Sequence, residues 1–144
     1  MLRIKEAKEE DLKEIVKIER ELFLEEAWNY KQIYQEFKNL FSKIYLLKEN
    51  DKILGYLIFR IIFPETELLR IGVKKEFQKK GLGTFLMNSF LKEQQKEGIK
   101  KIFLEVNNSN NLAYKFYRKF GFQDLYFRKR YYKNGDAVIM QKSL

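Results

Sequence analysis

The spacing of apolar residues along the chain changes period several times, and each change predicts an element. Between residues 8 and 24, Leu12, Ile15, Val16, Leu22 and Phe23 fall close to one stripe at helical spacing. Asn29 is placed to cap a second helix that carries Ile33, Phe37 and Leu40. Apolar runs at 2–7, 43–48 and 53–63 read as strands, the last two joined by a tight polar turn at Asn50-Asp51. Pro64, the only proline, sits in the next turn, and a further strand ends at Val73. Leu82, Phe85, Leu86, Ser89 and Phe90 then share one face of a long helix, which Gly98 stops as a residue free to turn left-handed. Residues 101–107 read as a strand. Asn108-Ser109-Asn110 offers caps for a helix with Leu112, Ala113, Phe116, Tyr117 and Phe120 on one side, ended by Gly121. Residues 122–132 and 137–142 form a predicted hairpin about Asn134-Gly135. No repeat, linker or low-complexity tract interrupts this series. The expectation is one α/β domain over residues 1–144, a mixed sheet covered by helices.

The chemistry-bearing stretch is 68–98. An apolar strand, Leu68 to Val73, runs into Gln78-Lys79-Lys80-Gly81-Leu82-Gly83, which opens directly into the long helix. A strand, a glycine-bearing basic loop and a helix N-terminus aim several N–H groups and the positive end of a helix dipole at one spot. That is an anion site in principle. It is equally the way an ordinary helix begins after a glycine turn.

Composition narrows the chemistry. With 45% hydrophobic and 16% aromatic residues in 144, the chain can bury a core of its own. No apolar run approaches the ~20 residues that cross a bilayer, and residues 1–6 lack the apolar stretch of a signal peptide. A cytoplasmic location without membrane attachment is therefore expected. There is no cysteine and no histidine. Thiolate nucleophiles and cysteine metal sites are excluded, zinc catalysis is disfavoured, and no metal is expected. Acid–base work falls to Glu, Asp, Lys, Tyr or water. The net charge of +9 favours an anionic partner such as a phosphate-rich cofactor or nucleic acid. A lysine-rich solvated surface gives the same number.

Two residues stand out on their elements. Glu105 shares a strand face with Phe103 and Asn107, where a carboxylate must be paired, used, or near enough to the strand end to reach solvent. Tyr117 lies on the apolar stripe of its helix, as a core aromatic would. Asn110 reads first as that helix's cap.

Together these pieces resemble the GCN5-related N-acetyltransferase family over nearly the whole chain. Its acetyl-CoA loop, Arg/Gln-x-x-Gly-x-Gly/Ala, stands here as Gln78 to Gly83. Its Asn-x-x-Ala-x-x-x-Tyr helix stands as Asn110, Ala113 and Tyr117, followed by Phe120-Gly121-Phe122. Leu104-Glu105-Val106, Arg128-Lys129-Arg130-Tyr131-Tyr132, Asp136 to Met140 and Trp28 are similar to the members that acetylate protein N-termini, the ribosomal-protein-alanine N-acetyltransferases. Ala27 stands where the family commonly has Pro, Arg70 where Asn is usual, Gly72 where Ala is, and Asn107 where Arg is.

The resemblance implies a mixed sheet of about seven strands with four helices, its parallel central strands splayed around the cofactor. It implies Glu105 as general base, through water, and Tyr117 as the acid toward the departing thiolate. Acetyl-CoA would lie against Ile71, Val73, Gln78, Asn110 and Tyr117, with its pyrophosphate on the N–H groups of Lys79, Lys80, Gly81, Leu82, Gly83 and Thr84. Trp28, Arg70, Tyr131 and Tyr132 would wall the acceptor groove. Without cysteine, an acetyl-enzyme on sulfur is impossible, and direct transfer in a ternary complex is the simpler route. The expected acceptor is a protein N-terminus, with a ribosomal protein among the candidates; a small-molecule amine or lysine side chain is the alternative. The basic hairpin argues mildly against a cationic acceptor. The scatter of the remaining lysines argues against direct nucleic-acid binding, and a catalytically silent acyl-CoA sensor fits poorly with both Glu105 and Tyr117 present. A monomer or weak homodimer is expected.

Overall fold

The strands expected from the apolar runs form one sheet, whose spatial order departs from chain order at its end. The computed structural model describes residues 1–144. It contains β1 (Leu2–Glu6), α1 (Leu12–Phe23), α2 (Tyr30–Lys38), β2 (Ser42–Glu49), β3 (Lys52–Ile62) and β4 (Glu65–Val73). There follow α3 (Leu82–Lys96), β5 (Lys101–Asn107), α4 (Asn111–Lys119), β6 (Gln123–Tyr132) and β7 (Gly135–Ser143). The seven strands lie in the order β1-β2-β3-β4-β5-β7-β6. The second strand of the C-terminal hairpin thus inserts beside β5, and β6 becomes an edge. Every neighbouring pair is antiparallel except β4 with β5. A mixed seven-stranded sheet with four helices is the architecture the resemblance implied.

Helices cover the two faces unequally. Leu12, Ile15, Ile18 and Ile33 of α1 and α2 pack on Ile44, Leu46, Tyr56 and Ile58 of β2 and β3. On the opposite face, Leu86 and Phe90 of α3 join Leu57, Phe59, Leu68, Ile102 and Leu104 in the larger core. Asn29 caps α2 as expected, in a reciprocal box with Gln32, an arrangement worth about 1 kcal/mol. Asn110 likewise caps α4, accepting the Ala113 N–H at 3.2 Å.

Four local expectations are corrected. Leu40 lies beyond α2 and is 94% exposed, because the Asn39 carboxamide accepts the Phe41 N–H and turns the chain out of the helix. Leu112 is 85% exposed at the first turn of α4, over a groove rather than the core. The buried stripe of α3 is Leu86, Met87, Phe90 and Gln94, with Phe85 exposed. Gln94 is tolerated inside because the Thr66 hydroxyl donates to it at 2.6 Å. Finally, Tyr132 pairs with Gly135, so the hairpin turns on Lys133-Asn134. Gly135 is needed for close approach: a Cβ there would collide with the side-chain oxygens of Asn107 and Asn108.

The feature that positions a site is the parting of β4 from β5. Their parallel register runs only from Glu65↔Lys101 to Leu68↔Leu104. At that point β4 carries a bulge: Phe59 pairs with Leu68 but Ile58 pairs with Arg70, leaving Leu69 extra. A bulge bends its strand and increases its twist. Residues 69–73 therefore follow β3 away from β5, and the two strand ends open like a fork.

Candidate active site

The fork exposes a row of main-chain groups. The Lys74 N–H donates to the Leu54 carbonyl at 2.9 Å. Alternation along the strand then turns the Val73 N–H the other way, into the opening. Gln78 folds back to give its carboxamide N–H to the Val73 carbonyl at 2.9 Å, which ties the loop to the strand. The chain next takes left-handed turns at Lys79 (φ 63°) and Gly81 (φ 80°) before α3 begins. Gly81 is glycine for that backbone angle, since no atom lies within 4 Å of where its Cβ would stand. The first helical bond is Phe85 N–H to the Gly81 carbonyl, and no side chain caps the helix. The amides of Leu82, Gly83 and Thr84 consequently lack a helical partner.

A groove of about 510 Å3 runs along the fork to these amides. Ile71, Val73, Gln78, Lys79, Gly81, Leu82, Gly83, Thr84, Asn110 and Tyr117 all line it. Lys80 alone of the expected set does not; its ammonium lies 5.8 Å from the centre of the Phe77 ring instead. An unpaired strand edge and three bare amides at a helix N-terminus fit a ligand with an extended amide-bearing arm and a diphosphate. Coenzyme A thioesters have that form.

A second cleft of about 430 Å3 adjoins the groove and shares Phe23, Ile71, Asn110, Ala113 and Tyr117 with it. Glu105, Trp28, Arg70, Tyr131 and Tyr132 line this cleft together, although they come from four separated stretches of sequence. α1 and α2 do not extend over β5, so the Glu105 face of that strand stays open. The Glu105 carboxylate accepts the Tyr132 hydroxyl at 2.9 Å, and the Arg128 guanidinium is 3.8 Å from its other oxygen. The Tyr117 ring packs edge-on against Phe116 and Phe122, while its hydroxyl has no partner within the protein. Loss of hydration on burial pushes the Tyr117 phenol up to about 12, against a smaller downward pull from Arg70. It stays protonated at any physiological pH.

Arg70 is held more firmly than an acceptor-contacting side chain needs to be. Its guanidinium grips the fully buried Glu19 carboxylate, Nη2 to Oε1 at 2.7 Å and Nε to Oε2 at 3.1 Å. It also stacks over Phe23, 4.1 Å from the ring centre, and lies 5.2 Å from Trp28. Glu19 further accepts the Trp28 N–H at 2.9 Å and the Tyr56 hydroxyl. Gly72 belongs to the same assembly, because a Cβ there would strike the Tyr56 ring at 2.8 Å. The departures at positions 70 and 72 are thus one feature. Asn107, the other departure, reaches the Glu26 carboxylate at 3.3 Å, and Arg70 bonds the Glu26 carbonyl at 3.2 Å. One cation and one carboxamide still bracket Glu26 across the fork.

Sequence reasoning missed Glu19 and Glu26. A signal for Glu19 existed: it sits between Ile15 and Leu22 on the apolar stripe of α1, where a lone carboxylate needs a buried partner. Glu26 carried none. Arg128, exposed on β6, reaches to 3.8 Å from the Glu105 carboxylate.

A sheet forked at its one parallel pair, beside a bare helix N-terminus, defines an acyl-CoA-dependent transferase fold. The sequence model of the acetyltransferase (GNAT) family matches residues 9–122, and the chain belongs to that family. The ribosomal protein bS18-alanine N-acetyltransferase of Escherichia coli (strain K12) is 33% identical over 98 residues, which span 65% of this chain and 66% of that enzyme. An N-alpha-acetyltransferase of Sulfurisphaera tokodaii is 26% identical over 156 residues, covering 99% of this chain and 93% of that one. The crystal structure of the ribosomal-protein-S18-alanine N-acetyltransferase from Escherichia coli superposes with a TM-score of 0.92 at 28% identity, over 99% of this chain and 94% of that chain. Family and fold are those expected from the motifs. No helix is long and apolar enough to cross a membrane.

Proposed function

We propose that the chain transfers an acetyl group from acetyl-CoA to the α-amine of a protein N-terminus, by direct attack in a ternary complex. The observation that carries this is the convergence of Glu105 and Tyr117 on one cleft that continues into the forked groove. Acetyl-CoA would supply the activated acetyl thioester, held by Ile71 and Val73 along its arm and by the amides of Leu82, Gly83 and Thr84 at its diphosphate. Lys79 adds charge there, Gln78 braces the loop, and Asn110 holds the start of α4.

Each remaining step belongs to a residue of the chain. Glu105, through one water, takes the proton of the acceptor amine; an α-amine titrates near ~7.7–8.0, so a modest base suffices. The Val73 N–H donates to the acetyl oxygen as negative charge builds on it, a role worth ~2.7–4 kcal/mol in other enzymes. Tyr117, kept protonated by burial, gives its proton to the departing thiolate. Trp28, Arg70 and Tyr131 wall the acceptor side. The acceptor class rests on the relatives, whose names give an alanine of ribosomal protein bS18 and an α-amine as the groups acetylated. A ribosomal protein in the cytoplasm is the acceptor we put first. Every residue assigned comes from one chain, so a monomer or weak homodimer suffices.

One observation favours a second reading. Glu26, Glu67 and Glu105 line the acceptor cleft, and its one cation, Arg70, is already paired with Glu19. The cleft is acidic despite the basic hairpin beside it, which suits a cationic small-molecule amine or lysine side chain as well. Mass spectrometry of a peptide library incubated with protein and acetyl-CoA separates these. Acetylated N-terminal α-amines are expected. Modification confined to lysine side chains or to an added polyamine replaces the acceptor, and no acetylation of any amine overturns the proposal.

A further inference from the structure

β6 is an edge strand whose residues are exposed along nearly its whole length; of its ten, only Tyr132 is drawn in from solvent. Three contacts place it. Arg130 turns left-handed (φ 53°) and gives its N–H to the Asp136 carboxylate at 2.8 Å, which kinks the strand just before Tyr131. The Asn107 carboxamide donates to the Asn134 side chain at 2.7 Å, and the Asn108 N–H to the Asp136 carbonyl at 2.9 Å. These bonds clasp the hairpin end onto the end of β5, two residues from Glu105. The kink and the clasp together deliver one hydroxyl to one carboxylate oxygen, Tyr132 to Glu105 Oε2 at 2.9 Å.

We infer that Tyr132 is a positioning residue for Glu105: its hydroxyl holds one carboxylate oxygen and fixes the rotamer that turns the group into the cleft. This rests on the acetyltransferase reading and replaces the role of acceptor wall expected for Tyr132 from the sequence. Burial, then the Glu105 carboxylate itself, raise the Tyr132 phenol above the ordinary tyrosine value, so it remains the donor. Other groups also face Glu105. Arg128 and Tyr126 come from β6 beside Tyr131, Glu65, Glu67 and Arg70 from β4, Arg60 from β3, Glu26 from the turn after α1, and Tyr117 from α4. All of them persist when a single hydroxyl is removed, so a change on its removal reports Tyr132.

The test is Tyr132→Phe, with Tyr131→Phe as comparison, in peptide acetylation kinetics. For Tyr132→Phe, kcat is expected to fall about 10-fold while the acceptor KM stays within about twofold. Tyr131→Phe, on the acceptor wall, should act on the acceptor KM instead. A raised acceptor KM with kcat unchanged in Tyr132→Phe makes Tyr132 a wall after all and overturns the inference. A second readout does not depend on turnover: in 13C-glutamate-labelled protein, the Glu105 carboxyl resonance should shift and broaden in Tyr132→Phe, as the side chain leaves its single rotamer, and stay in place in Tyr131→Phe. An unchanged resonance overturns the inference even where no acceptor is turned over. Failure to acetylate any amine, with the resonance moved, removes the proposed function and leaves the Tyr132–Glu105 linkage standing.

Discussion

Glu19 and Arg70 form a forked ion pair behind the aromatic wall of the acceptor cleft, with 2.7 Å between Oε1 and Nη2. The carboxylate is fully buried and the guanidinium mostly so, and further hydrogen bonds join the carboxylate to Trp28 and Tyr56 and the guanidinium to the Glu26 carbonyl. The pair joins α1 to β4 at the bulge. It therefore sets the width of the cleft rather than offering charge to a substrate.

Removing one partner should be costly. Glu19→Ala strands a buried guanidinium and orphans the Trp28 and Tyr56 donors, a loss of about 3–5 kcal/mol. Urea unfolding followed by circular dichroism measures it. The double variant Glu19→Met, Arg70→Leu should recover much of that loss, because it leaves no unpaired charge. Equal stability of Glu19→Ala and the unsubstituted chain would contradict the structural role.

Glu105→Gln keeps the Tyr132 contact in shape but removes the base. Turnover is expected to drop about 10²–10⁴-fold, while acetyl-CoA affinity measured by calorimetry stays unchanged. Retained turnover would discard Glu105 as base.

Tyr117→Phe should slow thiol release and leave the fold intact, since the ring contacts with Phe116 and Phe122 remain. The pH behaviour follows from the phenol being raised to about 12 by burial. Unfolded tyrosine ionises near ~10. The folded state binds that proton more tightly, so its contribution is fully present below about pH 10 and is lost as pH rises toward about 12. Denaturant titrations at about pH 9, 10 and 11 should show a stability decline that flattens in Tyr117→Phe.

Gly81 and Gly83 should respond differently to alanine. Gly81→Ala forces a side chain into a left-handed backbone and should cost about 1–2 kcal/mol even without ligand. At Gly83 a Cβ meets only the Phe116 ring, at an ordinary 3.5 Å. Gly83→Ala should melt normally and lose acetyl-CoA affinity alone. Gly81→Glu should abolish binding, as calorimetry would record.

Much of this was legible because it is local. The Asn29 and Asn110 caps, the loop from Gln78 to Gly83 and the strand–helix order depend on neighbours within a few residues, where periodicity and backbone preference act directly. Glu105 and Tyr117 were legible only through the family motifs, since on their own elements they read as a carboxylate near a strand end and a core aromatic. The sequence by itself determined the elements, the family motifs and the residue types available for acid–base work. The family motifs implied that the central strands part, but tertiary structure alone decided where, because a one-residue bulge at Leu69 is a matter of register between strands rather than of propensity. It also decided that β7 and not β6 lies against β5, and that Lys80 misses the groove. Contacts such as Glu19 with Arg70, 51 residues apart, and Tyr132 with Glu105, 27 apart, exist only once packing brings remote elements together. No local pattern encodes which buried charge will meet which; geometry settles that after the core has closed.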